Sequence, residues 1–433
     1  MKAIVAKRVD AGTADLTEIA DLARAAGYDV VDRVAQTRVE DATYAFGEGK
    51  VHELAERAGG TDADKIIIDN ELGPFQTYNI GLELPEDVEI LDRFRLILEI
   101  FGQRAHTRKA QLQVELAELR YELPRASAKT SLAKRDEHPG FMGLGEYDES
   151  RERDIKARIS RIREELDAIA RDEAEWRANR RESGFDLVAL AGYTNAGKST
   201  LLRRLAADLD VDENVGLHPD LDPTAQSQDR LFTTLGTTTR RGAIDDRDVL
   251  VSDTVGFIRN LPHWLVESFQ STLEQVYHAD LVLLVVDASD PIDELREKVV
   301  TCHDTLYERN RAPIVTVLNK TDLLTEAELT ERMDAIAELA PRPVPISAEH
   351  GSGIEALERR IVEELPPLRE ERLVLPMTDQ TMSMISWLHD NANVNDVSYG
   401  EEQAIVDFAG RDGIVEKSRA KAQQLAQPPV DHG

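Results

Sequence analysis

The chain has 433 residues, 41% of them apolar, enough for about three domains of ordinary size. A single cysteine, Cys302, excludes an intramolecular disulfide, no apolar run approaches the ~18 residues of a membrane-spanning helix, and the run in MKAIVAKRVDAG is too short for a secretory leader. The 82 acids exceed the 52 bases, for a net charge of −30, a balance that suits a very salty cytoplasm.

There a densely acidic surface stays hydrated and its self-repulsion is screened. At about 1 M salt the Debye length is only ~3 Å, so this charge does not forbid binding to RNA. The expectation is a cytoplasmic monomer with no membrane partner.

Residues 1–92 alternate apolar runs with helical patterns. KAIVAKRV, YDVVDRVAQTR and KIIIDN read as strands, and Ala14–Ala26 and His52–Ala58 as helices between them. That alternation predicts a small α/β domain with a largely parallel sheet. Gly47-Glu48-Gly49-Lys50 lacks phosphate-loop spacing and a following Ser or Thr, and reads as a turn.

Residues 93–182 carry two heptad seams. Leu112, Leu116, Leu119 and Leu123 form one; Ile155, Ile159, Ile162, Leu166, Ile169 and Trp176 form the other, broken only by Glu173. They predict an antiparallel helical hairpin. Pro124 to Ser150 is expected to be irregular, because Pro139–Gly145 cannot continue a helix. From Phe101 to Arg135, eight bases (Arg104, Arg108, Lys109, Arg120, Arg125, Lys129, Lys134, Arg135) face three acids (Glu115, Glu118, Glu122). A solvated face with i,i+4 pairs fits that surplus poorly. A basic tip for RNA phosphate fits it better, with Arg125, Lys129, Lys134 and Arg135 as the expected contacts.

Residues 183–367 open with the strand FDLVALA, the loop Gly192-Tyr193-Thr194-Asn195-Ala196-Gly197-Lys198-Ser199, and a helix from Thr200. Strand, glycine loop and helix form a phosphate cradle: backbone N–H groups and a helix N-terminus meet the anion. The later strands VLVSDT, LVLLVVDAS, PIVTVLNK and VPISA predict a doubly wound sheet. Between Ala206 and Arg230 lies a loop holding Asp208, Asp210, Asp212, Glu213, Asp220, Asp222 and Asp229, read as a salt-adapted insertion rather than a lid. Residues 368–433 predict a small α+β unit packed on the preceding domain, ending in a polar tail.

Four further motifs follow the loop, each at a strand end or before a strand. Phe232-Thr233-Thr234-Leu235-Gly236 and Thr237 to Thr239 supply switch-type threonines. Asp253-Thr254-Val255-Gly256 fits D-x-x-G, Asn319-Lys320-Thr321-Asp322 fits N-K-x-D, and Ser347-Ala348-Glu349 follows VPI. Each motif is weak alone; their order is a strong signal. Lys198 places a cation against the β- and γ-phosphates, Ser199 offers its hydroxyl to Mg²⁺, and Asp253 holds that ion through water. Gly256 brings an N–H to the γ-phosphate where no side chain would fit. A carboxylate at Asp322 accepts from guanine N1–H and its amine, which adenine does not offer, so the ligands are GTP and GDP. Phe257, after the glycine, cannot orient an attacking water, so hydrolysis needs help from elsewhere.

GYTNAGKSTL, DTVGFIRNLPHWLVESFQSTLEQ and IFGQRAHTRKAQLQVELAELRYELPR together resemble the HflX GTPase family. The resemblance implies a GTP hydrolase associated with ribosomes, chiefly the large subunit and its rRNA, with some members splitting stalled or idle ribosomes. It also implies Thr234 as the threonine on Mg²⁺. Asn195 resembles the asparagine of potassium-dependent GTPases, implying a K⁺ near the phosphates. The sequence departs from the family's G-P-G-E-T-Q-like loop with PGFMGLGEYDES, and its acidic loop before Phe232 is longer. The alternative class is a GTP-latched assembly or RNA-binding factor with negligible turnover. RNA modification would need a catalytic insertion that the sequence does not carry.

Overall fold

A computed structural model describes residues 1–105, 107–136, 144–182, 185–206, 238–244, 247–253, 256–257, 265, 276–307, 310–340 and 342–425. These residues fold as two units, one built chiefly from residues 1–169 and the other chiefly from residues 170–433.

The first unit begins with a four-stranded sheet in the order β2-β1-β3-β4, all parallel. Its strands are β1 (Lys2–Val9), β2 (Asp29–Thr37), β3 (Lys65–Ile68) and β4 (Glu89–Asp92). β3 is buried along its whole length, as a parallel strand covered on both faces must be. Ile4, Ala6, Ile66 and Ile68 meet Val51 and Leu54 of α2 (Glu48–Thr61) and Ile80 of α3 (Pro74–Glu83). Alternation sends Ala3 and Val5 to the opposite face, where they too are buried; α1 (Thr17–Ala25) and α4 (Arg93–Arg104) also belong to this unit.

The sequence reading missed α3 and β4. The signal for α3 was present: Pro74 sits at its first position, and the Gly73 N–H donates to Gln76 Oε1 at 2.9 Å. The Gly47–Lys50 stretch, expected as a turn, opens α2, with Gly47 as its N-cap.

The hairpin consists of α5 (Arg108–Asp136) and α6 (Leu144–Glu182). Leu112 and Leu116 pack with Ile155, Ile159 and Ile162, and Leu119, Leu123, Leu166 and Ile169 extend the seam. Charged pairs across it fix an antiparallel register. Arg108 reaches Glu165 at 2.7 Å, Arg158 grips Glu115 through two bonds of 2.6 and 2.7 Å, and Arg151 lies 3.9 Å from Glu122. Each step of seven up α5 is a step of seven down α6. The expected break at Pro124 is corrected: α5 runs through it to Asp136, and α6 already holds Gly145. Leu119 and Leu123 before the proline and Ala126 after it stay on the seam, which offsets the roughly 3 kcal/mol a helical proline costs. Residues 137–143 lie outside the described residues.

The second unit contains a six-stranded sheet in the order β10-β9-β8-β5-β7-β6, parallel except for β6 against β7. Its strands are β5 (Asp186–Gly192), β6 (Thr238–Ile244), β7 (Arg247–Asp253), β8 (Leu281–Asp287), β9 (Ile314–Asn319) and β10 (Val344–Pro345). β5 lies between β7 and β8, where the strand order reverses. This is a doubly wound α/β fold with its ligand crevice at the strand C-termini.

A three-stranded antiparallel sheet follows, β11 (Arg369–Pro376), β13 (Gln403–Gly410) and β12 (Asn393–Tyr399) in that order. Its core joins Leu375, Val406 and Phe408 to Leu388 and Ile414 of the two neighbouring helices. Arg411 ties it to the larger sheet. Its guanidinium donates to the Phe185 carbonyl at 2.8 Å and lies 3.2 Å from Asp186 and 2.7 Å from Asp280. Asp186 is also held by Arg247 at 2.6 Å. Burial pushes the Asp186 carboxyl upward and the two arginines oppose it.

Candidate nucleotide site

Tyr193 to Gly197 connect β5 to α7 (Lys198–Leu205). Asn195 (φ 63°) and Gly197 (φ 91°) both adopt left-handed backbone. At Gly197 glycine is required twice over, by that angle and because a Cβ would collide with Asn319 Nδ2. The first turn of α7 has no side-chain cap, which leaves its N–H groups for an anion.

Lys198 is buried, and its ammonium donates to the carbonyls of Gly192 (3.0 Å) and Tyr193 (2.8 Å). Burial lowers its pKa, opposed by Asp253. The Ser199 hydroxyl donates to Asp253 Oδ2 at 2.6 Å. Two hard oxygen donors therefore converge beside the loop, a donor set that fits Mg²⁺.

Gly256 and Phe257 extend the β5–β7 ladder onto the loop. The Phe257 N–H donates to the Gly192 carbonyl (3.0 Å), and the Thr194 N–H donates to the Phe257 carbonyl (3.1 Å). A Cβ on Gly256 would stand 2.8 Å from Lys198 Nζ, Thr194 Cγ2 and Thr194 N. The Phe257 side chain is buried and offers no polar atom.

Opposite the phosphate side, Asn319 at the end of β9 joins two loops. Its Nδ2 donates to the Ala196 carbonyl (2.8 Å), and its Oδ1 accepts from the Ala348 N–H (2.9 Å). Lys320 pairs with Asp287 at 2.6 Å. The Thr321 N–H donates to the Ile346 carbonyl at 3.2 Å. Asp322 sits in a 3₁₀ turn, 3.8 Å from His350 Nε2. Ser347 is fully buried, and its Oγ accepts from the His350 N–H at 3.2 Å.

Gly192 to Thr200, Asp253, Gly256, Asn319 to Asp322 and Ser347 to Glu349 are thus gathered at one end of one sheet. Phe232, Thr233, Thr234, Leu235, Gly236, Thr254 and Val255 lie outside the described residues. The sequence reading missed Arg204, Asp287 and His350. Arg203 and Arg204 look like ordinary solvated helix cations, and only the fold brings Arg204 to the loop after Ser347.

The expected RNA contacts divide. Arg125 turns toward its own unit: it lies 3.4 Å from the centroid of the Tyr121 ring and donates to the Leu72 carbonyl (2.8 Å) and buried Asp92 (3.0 Å). Lys129, Lys134 and Arg135 lie on α5, with side chains outside the described residues. Among the described residues, no helix is long and apolar enough to cross a membrane.

Three family profiles match in succession: "GTP-binding GTPase N-terminal" over residues 13–102, "GTP-binding GTPase Middle Region" over 104–180 and "50S ribosome-binding GTPase" over 187–320. The chain is similar to the GTPase HflX of Thermococcus kodakarensis, 39% identical over 94% of this chain and 92% of that one. It is 35% identical to the GTPase HflX of Methanocaldococcus jannaschii, over 93% of this chain and 94% of that one. A crystal structure of a GTP-binding protein from Sulfolobus solfataricus in complex with GDP matches 84% of this chain and 98% of that one, with 23% identity and a TM-score of 0.46.

Proposed function

The chain belongs to the HflX family of GTPases, and we propose that its GTP hydrolysis times a cycle of association with the large ribosomal subunit in the cytoplasm. In this cycle the monomeric GTP state binds the subunit, and hydrolysis releases it, in the service of splitting, recycling or rescue. The support for a ribosomal partner is the match over residues 187–320 to the profile described as a 50S ribosome-binding GTPase. The proposed division of labour is 1–92 as an N-terminal α/β domain, 93–182 as the hairpin, 183–367 as the GTPase domain and 368–433 as a C-terminal unit.

The observation that carries the nucleotide chemistry is the pair of hydrogen bonds at Asn319, which donates to the Ala196 carbonyl and accepts from the Ala348 N–H. They couple the phosphate loop to the loop assigned to the base. In this reading the loop N–H groups from Tyr193 to Thr200 bind the phosphates, except those of Thr194 and Ala196, which the Phe257 and Tyr193 carbonyls hold. Lys198 leaves the Gly192 and Tyr193 carbonyls for the β- and γ-oxygens, offsetting their charge. Gly256 directs its N–H at the γ-phosphate. Asp322 accepts from the guanine N1–H and amine, and Lys320 and Thr321 hold that turn in place.

Ser199, Asp253 and Thr234 would hold Mg²⁺, which supplies positive charge against the phosphates when bound. Asn195 is the proposed K⁺ ligand; equal rates in KCl and NaCl of the same ionic strength would remove that role. Phe257 leaves the attacking water without an orienting group, so the ribosome is expected to supply or order one. At the hairpin, Lys129, Lys134 and Arg135 are the proposed rRNA contacts, while Arg125 anchors the hairpin within its unit.

The test is GTP turnover with and without purified large subunits, paired with cosedimentation in a non-hydrolysable GTP analogue. Stimulated turnover and analogue-dependent pelleting are expected. No stimulation at any subunit ratio, with no pelleting, would overturn the ribosomal assignment.

A further inference from the structure

We propose that Arg204 is a positioning residue for guanine recognition, acting from the helix that holds the phosphates. This rests on the reading that the Ser347–Glu349 loop meets the base. Arg204 lies on the last turn of α7, whose first residues are Lys198 and Ser199. Its Nε donates to the Ala348 carbonyl at 3.2 Å and its Nη2 to the Glu349 carbonyl at 2.6 Å. No carboxylate pairs with it among the described residues; both of these bonds end on backbone oxygens of one loop.

Those bonds orient the loop's N–H groups. In a trans peptide the N–H points opposite to its C=O. Fixing the Ala348 carbonyl on Arg204 therefore turns the Glu349 N–H away from α7. The Ala348 N–H is taken by Asn319 Oδ1 and the His350 N–H by Ser347 Oγ. The Glu349 N–H remains the donor of this loop suited to the 6-oxygen of guanine. Adenine carries an amine there, which would meet a donor with a donor.

Two further contacts agree with a braced loop. Gly351 has positive φ (79°), and a Cβ there would come to 3.5 Å from the Arg204 guanidinium. The Gly351 N–H donates to the Ser347 carbonyl at 2.7 Å. Loop and guanidinium thus lie side by side, with room for no more than an ordinary van der Waals contact at Gly351. Arg204 itself is exposed, so replacing it removes no core packing.

The test compares GDP with 2-aminopurine riboside diphosphate, which keeps the phosphates and the 2-amino group but lacks the 6-oxygen and N1–H. Dissociation constants are measured by competition for wild type, Arg204→Ala and Arg204→Lys. Arg204→Ala is expected to weaken GDP about tenfold, the scale of one well-placed hydrogen bond, while the analogue's affinity stays within about twofold. Arg204→Lys, with one donor head in place of a fork, should restore part of the preference. Equal loss for both ligands would mean that Arg204 only supports the fold, and no change for either would mean that it does nothing for the base; each overturns the proposal. A wild-type protein indifferent to the two ligands would instead overturn the underlying assignment of the base loop.

Discussion

The Ser199 hydroxyl donates to the Asp253 carboxylate across 2.6 Å, joining the first turn of the phosphate helix to the end of β7. Both side chains are proposed to turn to Mg²⁺ when nucleotide arrives, so neither can be lost without consequence. Asp253→Asn should lower kcat on the order of 10²-fold and raise the Mg²⁺ concentration needed for half-maximal turnover. Ser199→Ala should do the second more than the first, and EDTA should stop the wild-type reaction. A Mg²⁺ titration of steady-state turnover reads all three; unchanged Mg²⁺ dependence in both variants would refute the assignment.

Gly256 is the position at which an added methyl group has nowhere to go. Gly256→Ala would press on Thr194 N and Lys198 Nζ at 2.8 Å. The proposed γ-phosphate contact should suffer first. Single-turnover GTP hydrolysis is expected to fall about 10²-fold, while GDP affinity stays within about threefold. A variant that loses GDP as severely as it loses hydrolysis would show that Gly256 serves the loop rather than the γ-phosphate.

Asp322→Asn exchanges a double acceptor for a group with one donor and one acceptor. GDP should bind about 10²-fold more weakly. Xanthosine diphosphate, with a carbonyl where guanine has its amine, should gain. Fluorescence competition with the two diphosphates measures the exchange, and parallel losses for both would count against a base contact at this carboxylate.

Arg411 holds the small antiparallel sheet to the larger one through Asp186, Asp280 and the Phe185 carbonyl. Removing it leaves buried Asp186 with Arg247 alone. Breaking a buried pair costs about 3 kcal/mol or more, so Arg411→Ala should lower Tm clearly and expose residues 366–369 to protease. Arg411→Lys should recover part of the loss. Thermal unfolding and limited proteolysis together decide, since an unaltered Tm would show that the sheets hold by apolar packing alone.

His303 has Nε2 buried without a hydrogen-bond partner among the described residues. Burial pulls its pKa below the ordinary value of 6.5, with Asp304 opposing. The unfolded chain therefore binds a proton at higher pH than the folded one. The associated stability is present above pH 6.5 and is lost as pH falls through the lower folded value. Urea unfolding at pH 8 and pH 5 should show wild type losing more stability on acidification than His303→Gln; parallel losses would exclude a role for this imidazole.

The sequence was most legible where local pattern and tertiary need agree. Leu112, Leu116, Ile155, Ile159 and Ile162 announce the hairpin seam by spacing alone, and the loop from Gly192 to Ser199 announces itself by its strand and helix. The irregular stretch expected from Pro124 to Ser150 is too wide: Pro139–Gly145 signals a break, but apolar packing of Leu119, Leu123 and Ala126 carries α5 through Pro124 to Asp136. β4 escaped because a four-residue strand with partial burial carries almost no periodic signal. Arg204 and His350 escaped for a different reason. Their roles depend on which loops the sheet brings together, and neither residue type nor spacing records that. Arg125 shows the converse: its charge counted toward a basic surface in the sequence, while its side chain is directed to Asp92 and Leu72.

The seven-residue recurrence of Arg108–Glu165, Glu115–Arg158 and Glu122–Arg151 makes the hairpin a ruler with coarse graduations. Inserting one residue in a single helix would rotate everything beyond it by about 100°, turning leucines to water and misaligning every later rung. Removing seven residues from each helix together would delete one rung and leave the others in phase. The reach of this arm is therefore adjustable only in increments of about 10.5 Å, and variants of intermediate length should lose the seam rather than shorten it.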